Sequence, residues 1–126
     1  MQIWLRRAYE KPGGKDGFRV LVDRLWPRGV SKESLKLDAW LKEIAPSSAL
    51  RRWFDHDPRK WSDFKRRYRA ELNDSFEGRK ALETLKSRAQ KGRLTLVYAS
   101  REKTYNNAVA LKEILENRIA EKNDRE

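Results

Sequence analysis

The sequence predicts a single α/β domain built on a small, mainly parallel β-sheet flanked by helices. Two short segments, residues 18–22 and 94–98, are rich in β-branched and aliphatic residues and are typical of buried strands. Helical segments lie between them and another follows the second, an order that favours parallel strands joined by right-handed crossovers. The 126 residues contain no linker-like tract, so we expect one domain over residues 1–120 and a charged, frayed tail over residues 121–126.

The first part of the chain predicts a strand, a loop and a second strand. Residues 3–7 form a short strand anchored by Trp4, and residues 8–17 form a loop containing one proline and three glycines. This loop either closes a hairpin or replaces a short crossover, so the direction of the first strand stays open. The strand over residues 18–22 follows and leads into a charged turn with the sequence DRLWPRG.

Helical signals follow this turn. Ser31 has the right chemistry to cap a helical turn that begins at Lys32. Apolar side chains spaced by three and four residues predict a helix over residues 37–44, which ends before Pro46.

A short helix comes next. Either Ser47 or Ser48 caps it, and its apolar residues lie on one face while Arg51 and Arg52 face the other way. The sequence HDP then breaks this helix.

The second half of the chain predicts three longer helices around one strand. Asp57 followed by Pro58 is typical of a helix start, and this helix should run to about Leu72 with its aromatic stripe in the core. A further amphipathic helix ends at Gly92, and the strand over residues 94–98 follows. The last helix begins at Asn107 or one residue earlier.

Composition excludes several classes of function. Thirty Lys and Arg against nineteen Asp and Glu give a net charge of +11, which predicts attraction to polyanions. The same charged fraction of 39% also suits a thermophile with an ion-paired surface. The absence of cysteine excludes thiol catalysis and thiolate zinc sites, and a single histidine excludes a multi-histidine metal site. We therefore predict neither a metal nor a cofactor.

The predicted strand ends converge on a candidate anion-binding crevice. In open α/β sheets ligands lie outside the carboxyl ends of the strands, and here those ends carry arginines, aromatic residues and a helix N-terminus. The candidate ligand-binding residues are Arg7, Arg24, Trp26, Arg28, Tyr98, Ser100 and Asn107. An alternative interpretation pairs Arg24 with Asp23 or a helix carboxylate and places Trp26 in the core. No phosphate-loop or dinucleotide glycine pattern is present.

Catalytic residues are harder to assign. Asp23 and His56 are the first suspects for acid–base chemistry, since a carboxylate among arginines is held ionised and a histidine titrates near neutral pH. For His56, a structural role in capping a helix or bonding a loop is favoured. Nothing in the sequence supplies an activated nucleophile.

The residues also resemble a known family. The segments FRVLVDRLWPRGVSK, APSSALRRWFDHDPRKWSDFKRRYRAEL and LTLVYASREKTYNNAVALKEIL are similar to the YeaO-like proteins, a family known as domain of unknown function DUF 488. The resemblance extends from Trp4 to about Ile119 and implies a small, cytoplasmic α/β protein without an established activity. Residues 24 and 26–29 carry over as motif positions, as do Asp57 and Asn107.

One departure from the family pattern limits what can be transferred. Many longer relatives place a cysteine, a histidine and an arginine near their last helix, where this chain has Asn106-Asn107-Ala108. Any chemistry that depends on that cysteine is therefore not implied for this chain.

Our leading functional prediction is a cytoplasmic protein, without a membrane segment, that binds a phosphorylated or other anionic small molecule in the crevice. The alternative is non-specific nucleic-acid binding through the basic helix, with Lys65, Arg66 and Arg69 on its exposed face. A third possibility is a structural or partner-binding protein whose arginines are locked in ion pairs.

Overall fold

A four-stranded parallel sheet organises the fold. The computed structural model describes the backbone of residues 2–125 and the side chains of residues 2–120. The strand order is β1-β4-β2-β3, and every neighbouring pair is parallel. The strands are β1 (Ile3–Arg7), β2 (Phe18–Leu21), β3 (Ala39–Trp40) and β4 (Leu94–Tyr98). The helices are α1 (Lys32–Leu35), α2 (Ser48–Phe54), α3 (Trp61–Asp74), α4 (Phe76–Lys91) and α5 (Asn107–Arg125).

This architecture confirms the predicted α/β class and settles the direction of the first strand. The strands β1 and β2 both pair with β4 in parallel, so Leu5 and Val20 lie on opposite sides of Leu96. The loop over residues 8–17 is therefore a crossover and not a hairpin turn.

The helix predicted over residues 37–44 is wrong. Trp40 pairs with Leu21 in the short edge strand β3, and a 3-10 helical turn, Lys42–Ile44, follows. Leu41 donates its backbone N–H to the carbonyl of Leu21 at 3.3 Å, which continues the sheet contact. The apolar spacing resembled a helix because these residues contribute to different parts of the core, and sheet pairing outweighs local helix propensity.

Helix caps follow the predicted chemistry. The Ser31 side chain accepts from the Ser34 N–H, and the Ser47 side chain accepts from the Leu50 N–H, each at 3.1 Å. Asp57 caps a 3-10 turn, Pro58–Lys60, that continues into α3. The boundary predicted at residue 120 falls inside α5, and because the side chains of residues 121–125 and all of residue 126 lie outside the description, the frayed tail stays a prediction.

Apolar side chains cover both faces of the sheet. The larger cluster lies on the side of the long helices, where Val20 and Leu96 pack with Phe64, Leu111 and Leu115. The smaller cluster lies on the opposite face and contains Ala8, Leu21, Leu35 and Val97, with Trp26 and Trp40 packed against it. The alternation of Val20 and Leu21 between the clusters follows the two-residue period of a strand.

A buried ion pair joins the crossover loop to the sheet. Asp16 and Arg19 are only 1% and 4% exposed, and the guanidinium Nη1 of Arg19 donates to the Asp16 carboxylate at 2.6 Å. The same carboxylate accepts from Arg6 Nε at 3.2 Å and from the Gly13 N–H at 3.0 Å. Burial alone would raise the pKa of Asp16, but the bonds from Gly13 and Arg19 hold it below its ordinary value.

Within the described residues, no helix combines the length and the apolar character that crossing a bilayer requires.

Candidate functional site

The carboxyl ends of β2 and β4 open into a cavity of about 330 Å³. Its rim carries four exposed residues with basic side chains, which are Arg24, Arg28, Arg51 and His56. Half-buried Asp23 and Asn107 form a less exposed part, which we call the floor. The walls are mostly apolar and include Trp26, Pro27, Ala45, Phe54 and Phe64. Asp23 is the one carboxylate in this lining, so fixed positive charge exceeds negative charge around the cavity.

The floor is organised by Asp23, which follows β2 after one intervening residue. One carboxylate oxygen accepts from the Ala99 N–H at 2.8 Å, and the other accepts from the Asn107 side-chain amide at 3.0 Å. These bonds tie the end of β2 to the end of β4 and to the first residue of α5. Burial raises the pKa of Asp23, and the Asn107 amide, the Ala99 N–H and the charge of Arg51 only partly oppose this rise. Desolvation is the largest of these influences, so the pKa of Asp23 lies above its ordinary value despite the neighbouring arginines.

The charged turn over residues 23–29 builds one side of the rim. Arg24 Nη2 donates to the carbonyls of Ala45 and Pro46, both at 3.3 Å, and forms no ion pair with a described residue. The alternative in which Arg24 pairs with Asp23 or a helix carboxylate is not observed. Gly29 has φ +77°, a left-handed conformation that favours glycine and lets the turn close.

Trp26 serves both the cavity and the core. Its indole N–H donates to the carbonyl of Val30 at 2.6 Å, and its ring meets Trp40 edge-on with centroids 5.4 Å apart. These contacts fix the half-buried ring in the cavity wall and against the smaller core cluster. The two interpretations of Trp26, wall and core residue, both describe part of its position.

Arg51 is a rim residue that the sequence reasoning missed, because it was assigned with Arg52 to a solvent-facing side of α2. Ser48, Arg51 and Phe54 all line the cavity. Residues three positions apart share a face of a helix, so this spacing was the available signal. Arg51 is exposed and forms no ion pair with a described residue.

His56 lies at the rim in a segment with an unusual backbone conformation. Asp55 and His56 both have left-handed φ angles, +46° and +54°, which are uncommon for residues with side chains. The ring Nδ1 lies 2.8 Å from the carbonyl of Tyr105, and because a carbonyl only accepts, Nδ1 carries the proton of this bond. This is the predicted bond to a loop, and it leaves Nε2 outside that contact. Among the residues described, no group of three or more His, Cys, Asp or Glu side chains is placed to hold a metal.

Two of the predicted ligand-binding residues do not line the cavity. Arg7 donates from Nε to the Ser100 carbonyl at 2.8 Å and from Nη2 to the Ala99 carbonyl at 3.3 Å. Arg7 therefore stabilises the loop after β4 without lining the cavity. Tyr98 is buried with only 4% of its surface exposed, and this burial raises the pKa of its hydroxyl. The structure brings the other five, Arg24, Trp26, Arg28, Ser100 and Asn107, to one cavity.

Two basic side chains of helix α3 form ion pairs within the protein. Lys65 pairs with Glu113 at 3.0 Å and Arg66 pairs with Asp63 at 3.1 Å. Together with Arg69, these two residues line a separate groove of about 420 Å³ between α3 and α5.

Comparison with known proteins assigns the chain to a family without an assigned function. Residues 2–126 match a family described as the inactive DUF488-N3 subclade. The uncharacterized protein YeaO of Escherichia coli (strain K12) is 41% identical over 111 residues, which cover 88% of this chain and 94% of that protein. The uncharacterized proteins Rv3073c of Mycobacterium tuberculosis and Mb3100c of Mycobacterium bovis are each 37% identical over 117 residues, covering 93% of this chain and 96% of those proteins. No solved structure matches the chain significantly. The resemblance to the YeaO-like proteins is thereby confirmed, and the chain belongs to the inactive DUF488-N3 subclade.

Proposed function

We propose that the chain binds a phosphorylated or other anionic small molecule in the cavity at the ends of β2 and β4, without catalysing its turnover. The observation that carries this proposal is the state of the rim arginines. Arg24, Arg28 and Arg51 surround the cavity, and none forms an ion pair with a described carboxylate. Guanidinium groups match carboxylate and phosphate oxygens with two parallel hydrogen bonds, so three of them around one cavity suit an anion.

The N-terminus of α5 adds to the attraction. The Asn106 side chain accepts from the Val109 N–H at 2.9 Å, and the Asn106 carbonyl accepts from the Ala110 N–H at 3.2 Å. The backbone N–H groups of Asn107 and Ala108 make no hydrogen bond among the described residues. Unpaired N–H groups and the helix dipole both favour negative charge at this position.

Binding without turnover fits the groups that are present. Both oxygens of Asp23 already accept a hydrogen bond, and the chain contains no cysteine. The description of the family as inactive supports the same conclusion. The acid–base roles considered for Asp23 and His56 are therefore replaced in this proposal by binding roles, for Asp23 at the floor and for His56 at the rim.

The nucleic-acid alternative receives less support. Lys65 and Arg66 are paired, and the guanidinium of Arg67 lies 4.3 Å from the ring centre of Trp53. These contacts occupy cations that a phosphate backbone would have to recruit. The structural alternative requires the motif arginines to be paired, which those at the rim are not.

The test compares two neighbouring arginines of α2. Arg51→Ala removes a rim cation, whereas Arg52→Ala removes an exposed cation that does not line the cavity. We expect Arg51→Ala to weaken the binding of phenyl phosphate, measured by calorimetry, by about tenfold to a hundredfold, since a hydrogen bond to a charged group contributes about 1.5–3 kcal/mol. Arg52→Ala should bind like the wild type.

Salt provides the second readout of this test. A small-ligand site loses little affinity as salt rises, whereas phosphate-backbone binding falls steeply on a log–log scale. Equal weakening in both variants, or binding only to oligonucleotides with a steep salt slope, would reject the proposal and favour the basic helix.

A further inference from the structure

We infer that the ligand of this cavity carries an O–H or N–H donor in addition to its anionic group, and that Asp23 and Asn107 together recognise this donor. The inference rests on the proposed function, because it assumes that the rim arginines hold the anion. It adds the chemical class of the ligand, which is a small phosphomonoester with an apolar body and a terminal hydroxyl or amino group.

The first step is the direction of the donors at the floor. The Asn107 side-chain nitrogen donates to the Val22 carbonyl at 3.1 Å and to Asp23 Oδ1 at 3.0 Å. Both partners lie within the protein, so both N–H groups of this amide are used internally and its orientation is fixed. The Ala99 N–H is likewise used by Asp23 Oδ2 at 2.8 Å.

The second step is the remaining acceptor capacity. Each carboxylate oxygen has two lone pairs, and each oxygen of Asp23 accepts one described hydrogen bond. Asn107 Oδ1 accepts no hydrogen bond from a described residue, and Asn107 lines the cavity. The Asp23 and Asn107 side chains therefore offer acceptors to a ligand, while the amide donors of Asn107 are used within the protein.

The third step is the polarity along the cavity. The exposed rim presents cations, and the half-buried floor presents acceptors. An anionic group directed at the side-chain oxygens of Asp23 and Asn107 would meet unfavourable lone pairs, so it lies toward the rim arginines and the backbone N–H groups at the start of α5. The acceptors at the floor are partly removed from water, so a ligand that places a hydrogen-bond donor there gains affinity. A ligand without that donor leaves these acceptors unsatisfied and binds more weakly.

The fourth step is the rest of the cavity lining. Phe54, Phe64 and Pro27 are buried and form apolar wall, with Trp26 beside them. The volume of about 330 Å³ is at the small end of the range for ligand pockets. A single ring or a short carbon chain between the phosphate and the donor fits this space better than a larger body.

The experiment uses matched aryl phosphates on the full chain. Inorganic phosphate, phenyl phosphate, 4-hydroxyphenyl phosphate and 4-methoxyphenyl phosphate are titrated by calorimetry. The hydroxyl and methoxy compounds both have a para oxygen, but only the first can donate. We expect the wild type to prefer 4-hydroxyphenyl phosphate over the methoxy compound by about tenfold or more.

Two variants test which side chains read the donor. Asp23→Asn changes one floor acceptor to an amide with little change in shape, and it should reduce the preference for the hydroxyl compound to about threefold or less. Asn107→Ala should also reduce this preference, and it provides an independent result if Asp23→Asn does not fold. Arg51→Ala should instead weaken all three aryl phosphates alike and keep their order.

The outcomes separate the two proposals. If the three aryl phosphates bind the wild type equally and Arg51→Ala weakens them, the anion site stands and the donor inference is overturned. If inorganic phosphate binds and no aryl phosphate does, the inference is again overturned. If neither phosphate nor any aryl phosphate binds, the proposed function itself fails.

Discussion

Replacing Asp16 with alanine should cost more stability than replacing any exposed carboxylate of the chain. The change removes the partner of Arg19, a residue that is only 4% exposed and whose guanidinium lies 2.6 Å from the Asp16 carboxylate. Arg19 keeps bonds to the carbonyls of Leu35 and Lys36, but its charge is left uncompensated in the interior. Breaking a buried ion pair from one side costs about 3–5 kcal/mol.

This loss is large enough to measure by thermal unfolding. An unfolding entropy of about 2.1 cal/mol/K per residue gives about 0.26 kcal/mol/K for 126 residues. The melting temperature followed by circular dichroism should therefore fall by about 12–19 °C. The control is Asp63→Ala, which removes a 3.1 Å ion pair to Arg66 between side chains that are 58% and 70% exposed. Such a surface pair contributes at most about 1 kcal/mol, and an Asp16→Ala loss no larger than that of the control would refute the reasoning.

Acid gives the same prediction a second test. The folded-state pKa of Asp16 lies below the ordinary value of 3.8, so the ionised carboxylate stabilises the fold fully above pH 3.8. That contribution is lost as the pH falls through the lower folded-state pKa. The difference in unfolding free energy between the wild type and Asp16→Ala should therefore shrink below about pH 4. A difference that stays constant down to acid unfolding would contradict the ion-pair account.

Two further predictions concern the crossover loop and the cavity floor. Gly17→Ala should destabilise the protein by about 1–3 kcal/mol or more in urea unfolding, because φ is +68° and the added Cβ would clash with the Arg93 carbonyl oxygen. Gly14→Ala, whose Cβ would meet nothing within 4 Å, should stay within about 0.5 kcal/mol of the wild type, and equal effects would contradict this account. For Asp23, whose folded-state pKa is raised above 3.8, folding favours the protonated acid, so stability relative to Asp23→Asn should fall as pH rises from about 3.8 through the raised pKa. Urea unfolding of both proteins across this range tests it, and a pH-independent difference would be the contrary result.

Local chemistry predicted most of the secondary structure. The two apolar strands, the serine caps at Ser31 and Ser47 and the Asp57-Pro58 helix start depend on interactions within a few residues, and the structure contains all of them. The edge strand β3 was not predictable in this way. Its two residues, Ala39 and Trp40, are in a strand because β2 lies beside them, and that contact is invisible in local periodicity.

The candidate site shows the same division. The charged turn after β2 was predictable as part of a site, because ligand sites in parallel α/β sheets lie beyond the strand ends. The direction in which each individual side chain points was not predictable from the sequence. Arg7 binds the carbonyls of the loop after β4 and does not line the cavity. Arg51 lies at the rim, although the sequence predicted that it faces solvent on its helix. The pKa of Asp23 is raised mainly by burial, and burial cannot be read from the arginines near Asp23 in the sequence.

The central claim, an anion site at the ends of β2 and β4, is tested most directly by mapping phosphate onto the folded protein. Inorganic phosphate is titrated into the ¹⁵N-labelled chain, and backbone amide shifts are followed by NMR. The account predicts saturable shifts at Ala99, Ser100 and Asn107 and at the Arg51 segment of α2, all of which line the cavity. Shifts confined to the Lys65–Arg69 face of α3, or none up to phosphate concentrations of tens of millimolar, would contradict it.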